Sequence, residues 1–479
     1  MEREKQKDFK LELKLLNILL FFGLLCVFIT PPFQMADEDS HFKRAFTVAN
    51  LDLVPQANDH GEVGFYLPQA IVDFEANYRY MKADIAQKFD YKKYYTAIST
   101  PVNYTPVAFS QFSTVETNPL LYVPQAIAMF FFKAIIYIFS LGKGELLTPL
   151  SYMYAGRIGN LIFFIFCAYT GMKLIPFYKR VFFLLACMPM TIGLVSSTSY
   201  DGMVIGISLL FIGLVLNIAF NLNIQKVSLK QIIMLCVLSF ILIELKQVYF
   251  PLVLLFLLIP KNKFVNFKKQ LIYFGAILLS GIVSYGLWSI IGQIHGKFDN
   301  NGNSSEQLSF ILSHPIQYIG ILFRTFYELS FFYTNSFIGN LGWLDTNFPP
   351  VFIYLYCLFI IVFALFDSHS AIKLTMQHKL ITIVVFLASI VLIETGLYLT
   401  WTSIPEIGGI GYPTVSGVQG RYFIPIMLLL MLVLYNQKLP LMVKPIQREF
   451  SDHILTTFCT FSSALMIFFI IVRYWVPGT

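Results

Sequence analysis

Apolar and polar residues alternate along this chain in long blocks rather than residue by residue. A helix needs about twenty apolar residues to cross a hydrocarbon layer about 30 Å thick, and apolar runs near that length or somewhat shorter recur. They predict eleven spans, at 15–32, 152–176, 181–199, 202–220, 231–245, 248–260, 271–291, 351–366, 380–400, 422–435 and 454–475. The fifth and sixth are short and divided by a Lys-Gln pair, the pattern of a tight hairpin. A further apolar stretch, 120–141, is long enough to cross but contains Pro124, Gln125 and a central Lys133. A lysine at mid-bilayer costs about 2.5–3.5 kcal/mol on insertion scales.

Basic residues between the runs set the expected topology. With 120–141 lying on the outer face, the short cytoplasmic loops hold fourteen lysines and arginines. Beyond the second span the opposite face then holds five: Lys246, Lys297, Arg324, Arg421 and Arg473. If 120–141 crossed, the totals would exchange, against the positive-inside rule. The expectation is therefore an interfacial 120–141, a cytoplasmic N-terminus and two long extracytoplasmic loops, 31–151 and 293–350. Both loops are expected to carry amphipathic helices lying on the leaflet. The N-terminal run is bulky and ends in Pro-Pro without a small-x-small site, which reads as a retained signal anchor.

Composition narrows the class. Of 479 residues, 57% are hydrophobic and 13% charged, proportions foreign to a water-soluble domain. The expected fold is all-α, one polytopic membrane domain over 1–479, located in the cell membrane. The net charge of +7 then concerns topology and contact with membrane lipids. With no interleaved basic-aromatic groove, nucleic acid is not an expected partner. All six cysteines (Cys26, Cys167, Cys187, Cys236, Cys357, Cys459) fall inside apolar runs without CxxC spacing, so neither a disulfide framework nor a zinc site is indicated.

Against this background the stretch PPFQMADEDSHFKRA, directly after the first span, is unusual. It places Asp37, Glu38, Asp39 and His41 at a bilayer edge. The predicted topology brings Arg157, Asp201, Lys246, Trp343, Asp345, Arg421 and Tyr422 to the same face. Charges at membrane depth usually face a bundle interior or a watery cavity, so these residues are candidates to line one outward-facing cavity. Plainer readings stand beside that one. Arg157 and Arg421 suit snorkelling, Lys246 suits pairing with Glu244, and Asp201 suits capping the helix that follows it. Asp345 suits a turn, His41 a local hydrogen bond, and Glu394 an interhelical hydrogen bond.

The motifs PPFQMADEDSHFKRA, NPLLYVPQA followed by YAGRIGN, SYDGM, LKQVYFPL, GNLGWLDTNFPP and GVQGRYFIP resemble, in that order, a bacterial family of predicted membrane proteins, domain of unknown function 2142. That family resembles a branch of the GT-C superfamily of integral membrane glycosyltransferases. The Asp-Glu-x-x-His-Phe string is also similar to one in the first outer loop of protein mannosyltransferases, with one extra residue. Ala36 departs from the proline common before the acidic pair.

The resemblance implies a GT-C-like fold and transfer of a sugar from a polyprenyl-phosphate donor to a cell-surface glycan or wall polymer. In that chemistry Asp37 is the general base, with Glu38 next in line. Asp201 orients the acceptor or a divalent cation, Mg²⁺ or Mn²⁺, shared with Asp37 and Glu38. Arg421, Lys246 and Arg157 are assigned to the donor phosphate, Tyr422 and Trp343 to stacking, and His41 and Asp345 to substrate contact. A transporter or flippase, or a polymerase or ligase, for lipid-linked saccharides is the alternative. The absence of paired halves and the gathering of charge at one face favour an enzyme.

Overall fold

The computed structural model describes residues 2–140, 147–298, 301–369, 371–439 and 448–476. Leu141, Lys444 and positions 299–300 of the second long loop lie outside them. The first helices are α1 (Glu2–Ile29), α2 (Glu38–Ala49), α3 (Gln69–Tyr78), α4 (Tyr91–Ser99), α5 (Val123–Phe139) and α6 (Pro149–Leu174). Next come α7 (Lys179–Ala186), α8 (Pro189–Val195), α9 (Asp201–Phe220), α10 (Leu229–Leu245), α11 (Phe267–Ile291) and α12 (Ser304–Ser313). The last are α13 (Pro315–Glu328), α14 (Ser330–Ile338), α15 (Pro350–Phe366), α16 (Met376–Leu397), α17 (Ile424–Leu434) and α18 (Arg448–Tyr474).

Helix α9 is apolar around its circumference and buried along almost its whole length, as a central helix should be. Small residues bring it close to α6. Gly202 lies against Asn160, Gly206 against Phe164 and Cys167, and Gly213 against the Gly171 backbone. Small residues let packed membrane helices approach closely where lipid supplies no hydrophobic drive.

Charges segregate to the two ends of this bundle. One end joins Lys179 to Glu12, and Arg180 to Asp367 and Asp452. There too, Lys263 donates to the carbonyls of Ile218 and Asn221, and Lys379 to those of Val433 and Tyr435. The acidic motif lies at the opposite end.

Seven helices among the described residues are long and apolar enough to cross a membrane: Asp8–Ile29, Pro119–Phe139, Pro149–Leu174, Asp201–Phe220, Phe267–Ile291, Met376–Thr402 and Ser451–Tyr474. Six coincide with expected spans. The seventh, Pro119–Phe139, is the segment that charge counting laid on the surface. Its awkward Lys133 is accommodated: the ammonium donates to Asn50 Oδ1 at 3.0 Å and lies 4.6 Å from the Tyr104 ring. Helix α5 runs beside the first half of α6, Pro124 against Gly159 and Met129 against Gly156.

Other expected spans are shorter or broken. Stretch 181–199 divides at Pro189, the first residue of α8 and a favoured place for proline. Stretch 248–260 is a 3-10 helix, Gln247–Leu258, which at about 2.0 Å per residue still reaches about 24 Å. It turns back beside α10, as a hairpin should: Val227, just before α10, donates its N–H to the Lys263 carbonyl. Pro350–Phe366 and Gly420–Leu434 are short apolar helices. Among the described residues, length and apolarity thus mark seven helices able to cross and three shorter apolar helices, where the apolar runs predict eleven spans.

The first long loop is not only helical. It contains β1 (Gln56–Ala57), β2 (Val63–Pro68) and β3 (Val107–Ser110), an antiparallel sheet in the order β1-β2-β3. Phe65 opposes Ser110 and Leu67 opposes Ala108. Phe65 and Leu67 are buried while Tyr66 is exposed, the alternation expected of a half-buried strand. In the second long loop α13 exposes Ile316, Ile319, Phe323 and Tyr327, an apolar stripe at helical spacing that suits a membrane surface.

Candidate functional site

Arg157 organises the acidic end from within. Its side chain and that of Glu38 are both 0% exposed. Nε and Nη2 of Arg157 grip the two Glu38 carboxylate oxygens at 2.7 and 2.6 Å. Nη1 donates to the carbonyls of Val27 and Thr30, and Nη2 also to that of Pro31. All five guanidinium N–H groups are therefore committed. Glu38 accepts a further bond from the Thr198 N–H at 3.0 Å. The end of α1, the start of α2 and the turn before α9 are pinned at this point. The expected assignment of Arg157 to a donor phosphate, and of Glu38 to base or metal duty, needs correction: neither has a free group to offer.

Locking Glu38 inward turns its neighbour outward. Asp37 has φ 61° and ψ 9°, a left-handed conformation uncommon for a residue with a side chain and often found where function demands it. It occupies the N-cap position of α2, where aspartate ordinarily caps the helix, yet makes no capping bond. Its carboxylate instead accepts from Arg421 Nη2 at 2.8 Å and is 46% exposed. Burial alone would raise the Asp37 pKa, but the Arg421 guanidinium together with His41 holds the group below its ordinary value.

Asp201 is the first residue of α9 and Tyr200 holds the cap position, so the expected capping role does not fall to it. Its Oδ1 lies 3.2 Å from Lys246 Nζ, and its Oδ2 lies 3.6 Å from Arg421 Nη1. Lys246 sits in extended backbone between α10 and the 3-10 helix, with its ammonium 4.2 Å from the Tyr422 ring centre and 5.3 Å from that of Tyr200. Glu244, its plainer partner, is occupied by Asn118 and Ser284, each at 2.8 Å. Arg421 is 3% exposed on its side chain, and its Nε is buried without a hydrogen-bond partner.

The backbone around Arg421 is firmly held. The Tyr249 hydroxyl donates to the Tyr422 carbonyl at 2.7 Å, and the Gly420 N–H donates to Ser336 Oγ at 2.8 Å. A methyl group at Gly420 would run into the Tyr333 carbonyl. Carboxylates and cations thus alternate in one chain: Asp37, Arg421, Asp201, Lys246.

His41, one turn into α2, has Nδ1 2.8 Å from the Tyr122 hydroxyl, and its ring meets that of Tyr200 edge-on at 4.8 Å. Burial pushes its pKa down to about 4, with Arg421 and Lys246 adding to the fall and Asp37 and Asp201 opposing it. An unfolded histidine titrates near about 6.5, so between those values the unfolded chain binds more protons. Stability contributed by neutral His41 is therefore complete above about pH 6.5 and declines as pH falls towards about 4. Melting temperature measured across that interval should fall less steeply in His41→Gln than in the native protein. Equal slopes would place the pH sensitivity elsewhere.

Two expected contributors lie outside the cluster. Asp345 is bound by Arg473 of α18, with Nη2 at 2.7 Å and Nε at 3.1 Å. Arg473 also donates to the carbonyls of Met81, Asp84 and Gln87. Trp343 donates to the Phe33 carbonyl at 2.9 Å, and Lys82 rests 3.4 Å from its ring centre. Arg473 fastens Asp345 to α18 and Trp343 ties the same loop to Phe33, so the substrate roles expected for Trp343 and Asp345 are corrected to structural ones. Glu394 meets the Tyr333 hydroxyl at 3.4 Å, an interhelical contact away from the acids.

Tyr122, Tyr200 and Tyr249 join the site without having been singled out. Each lies inside a motif already notable: NPLLYVPQA, SYDGM and LKQVYFPL. For Tyr200 the adjacent Asp201, and for Tyr249 the Lys246 three positions before it, was the available signal; Tyr122 had only its motif. The acids do not fit a divalent cation. Glu38 is saturated by Arg157, Asp37 and Asp201 are taken by cations, and no group of three metal-binding side chains occurs among the described residues.

Residues 20–430 match a family described as "Predicted membrane protein (DUF2142)". The match encloses the whole cluster from Asp37 to Tyr422. No curated protein and no solved structure matches the chain.

Proposed function

We propose that this chain, which belongs to the DUF2142 family of predicted membrane proteins, transfers a sugar from a polyprenyl-phosphate donor to a surface glycan or wall polymer on the extracytoplasmic face. The observation that carries the reading is the half-open Asp37 carboxylate beside the buried Arg421 guanidinium, which keeps an unpaired Nε–H. A carboxylate that can accept a proton and a cation that can receive a phosphate stand side by side at the edge of a membrane bundle.

The arrangement suggests an order of events. Before substrate arrives, Arg421 restrains Asp37 and weakens it as a base. The donor phosphate takes its place against Arg421 and Lys246, which neutralises them and frees Asp37. The carboxylate then accepts the proton of the acceptor hydroxyl while that oxygen bonds to the sugar carbon. The bond from sugar to phosphate breaks, and polyprenyl phosphate leaves with its electron pair. Positive charge preorganised at the leaving phosphate, away from bulk water, is the larger contribution, and proton removal adds to it. Asp201 keeps Lys246 and Arg421 in register, and the Tyr422 and Tyr200 rings offer faces for the sugar.

A cavity of ≈ 660 Å³ among α5, α10 and α11 begins at Asn118–Val123, next to Tyr122, and is walled by apolar groups such as Phe130, Phe131 and Leu287. It suits the first isoprene units of the donor.

Sealed proteoliposomes loaded with labelled polyprenyl-phosphate sugar test the reading. Label is expected to pass to added envelope glycan and to remain on lipid when glycan is withheld. Movement of intact donor between leaflets without acceptor would instead identify a transporter.

A further inference from the structure

A polar cleft of ≈ 390 Å³ opens between α3, α4 and the segment after α4, at the end of the molecule that carries Asp37. Its chemistry differs from the apolar cavity beside α5. Asp73 and Asn77 from α3, Thr96 from α4, and Asn103 and Thr105 beyond it line the walls. No lysine or arginine does. The side chains of Asn77, Asn103 and Thr105 are exposed, and no group among the described residues satisfies them. Asp73 accepts only from Gln69, at 2.8 Å. The buried Phe74 and Pro149, with the more open Pro101 and Pro106, supply apolar parts of the lining.

With Gln69 and Thr100 also in the lining, three amides, three hydroxyls and one carboxylate offer both donors and acceptors, without a cation to attract an anion. The open Pro101 and Pro106 surfaces can cover C–H faces. A ligand matched to this set is hydroxyl-rich and uncharged. The cleft is coupled to the acid cluster through one packed layer: Phe74 meets Phe42 of α2 at 5.9 Å and Phe33 at 4.9 Å. Lys43 of α2 also pairs with Glu75 of α3.

We propose that this cleft binds a neutral segment of the acceptor saccharide, apart from the reacting hydroxyl. The proposal rests on the transferase reading for the word acceptor, but its test does not require turnover. Saturation-transfer NMR would be recorded on the full chain in nanodiscs, carrying Asp37→Asn. The probe is the mixture of soluble oligosaccharides released by mild acid from the envelope of the cells that make the protein. Transfer to sugar protons is expected, with the apparent Kd raised at least about tenfold by the added pair Asn77→Ala and Asn103→Ala, the loss of several hydrogen bonds. Both positions are exposed, so folding should survive, and Ala70→Trp provides a second obstruction of the same cleft. No saturation transfer, or transfer unchanged in both variants, overturns the proposal. Binding by a protein whose native form transfers no sugar would leave the cleft in place and remove the transferase reading. The converse result would do the opposite.

Discussion

Glu38→Ala is expected to destabilise the protein by about 3–5 kcal/mol, the usual consequence of removing one partner from a buried ion pair. The reason lies in what is left behind. Arg157 would keep its charge at 0% exposure, with Nε and one Nη2 hydrogen unmatched, while the Thr198 N–H would lose its acceptor. The damage should spread, because this pair joins α1, α2, α6 and the turn before α9. Replacing both partners with leucine removes the orphaned charge together with its partner, so the double variant should be more stable than either single one. Unfolding in detergent, followed by helical signal, measures the series. A Glu38→Ala protein that unfolds like the native one but has lost activity would return Glu38 to the reacting groups.

Arg421→Ala is expected to lower sugar transfer by about 10²–10³-fold, in line with the loss of one preorganised charge at a developing anion. The fold should survive, since Asp201 retains Lys246 at 3.2 Å and Asp37 is already half open to water. Lysine at this position should restore only part of the rate, because one ammonium cannot hold two carboxylates with the planar fork of a guanidinium. The pH profile gives a second readout. Arg421 holds the Asp37 pKa below its ordinary value, so its removal should move the acid limb of the residual activity to higher pH. An acid limb that stays in place would mean that Asp37 is not the group being titrated.

Much of the site was readable in the sequence, and the residues that converged share one property. Asp37, Asp201, Lys246, Arg421 and Tyr422 all lie within about a turn or so of a predicted helix end on one side, and His41 follows Asp37 in the same motif. What periodicity could not convey was direction. Asp37 and Glu38 are neighbours with opposite fates, because a left-handed backbone at Asp37 sends one carboxylate out and the other in. Arg157 was misplaced for a related reason. Helix α6 begins at Pro149 and extends beyond the acid cluster, which puts Arg157 two turns inside and not at a rim.

Trp343 and Asp345 were misread because the Arg473 partner of Asp345 lies 128 positions away, on a helix whose docking no local pattern announces. The small sheet was missed because its strands are only 2, 6 and 4 residues long. At Pro119–Phe139 charge counting and helix length point in different directions. Lys133 finds its partner Asn50 in a segment 83 residues earlier, which no local count could anticipate.

The account turns on Asp37 as the proton acceptor in sugar transfer. Its most direct test compares native and Asp37→Asn proteins, purified, reconstituted and matched for melting temperature, with labelled polyprenyl-phosphate sugar and envelope glycan. The native protein should move label into glycan, and the variant should do so about 10²–10⁴-fold more slowly. Native-level transfer by Asp37→Asn, or no transfer by the native protein, would contradict it.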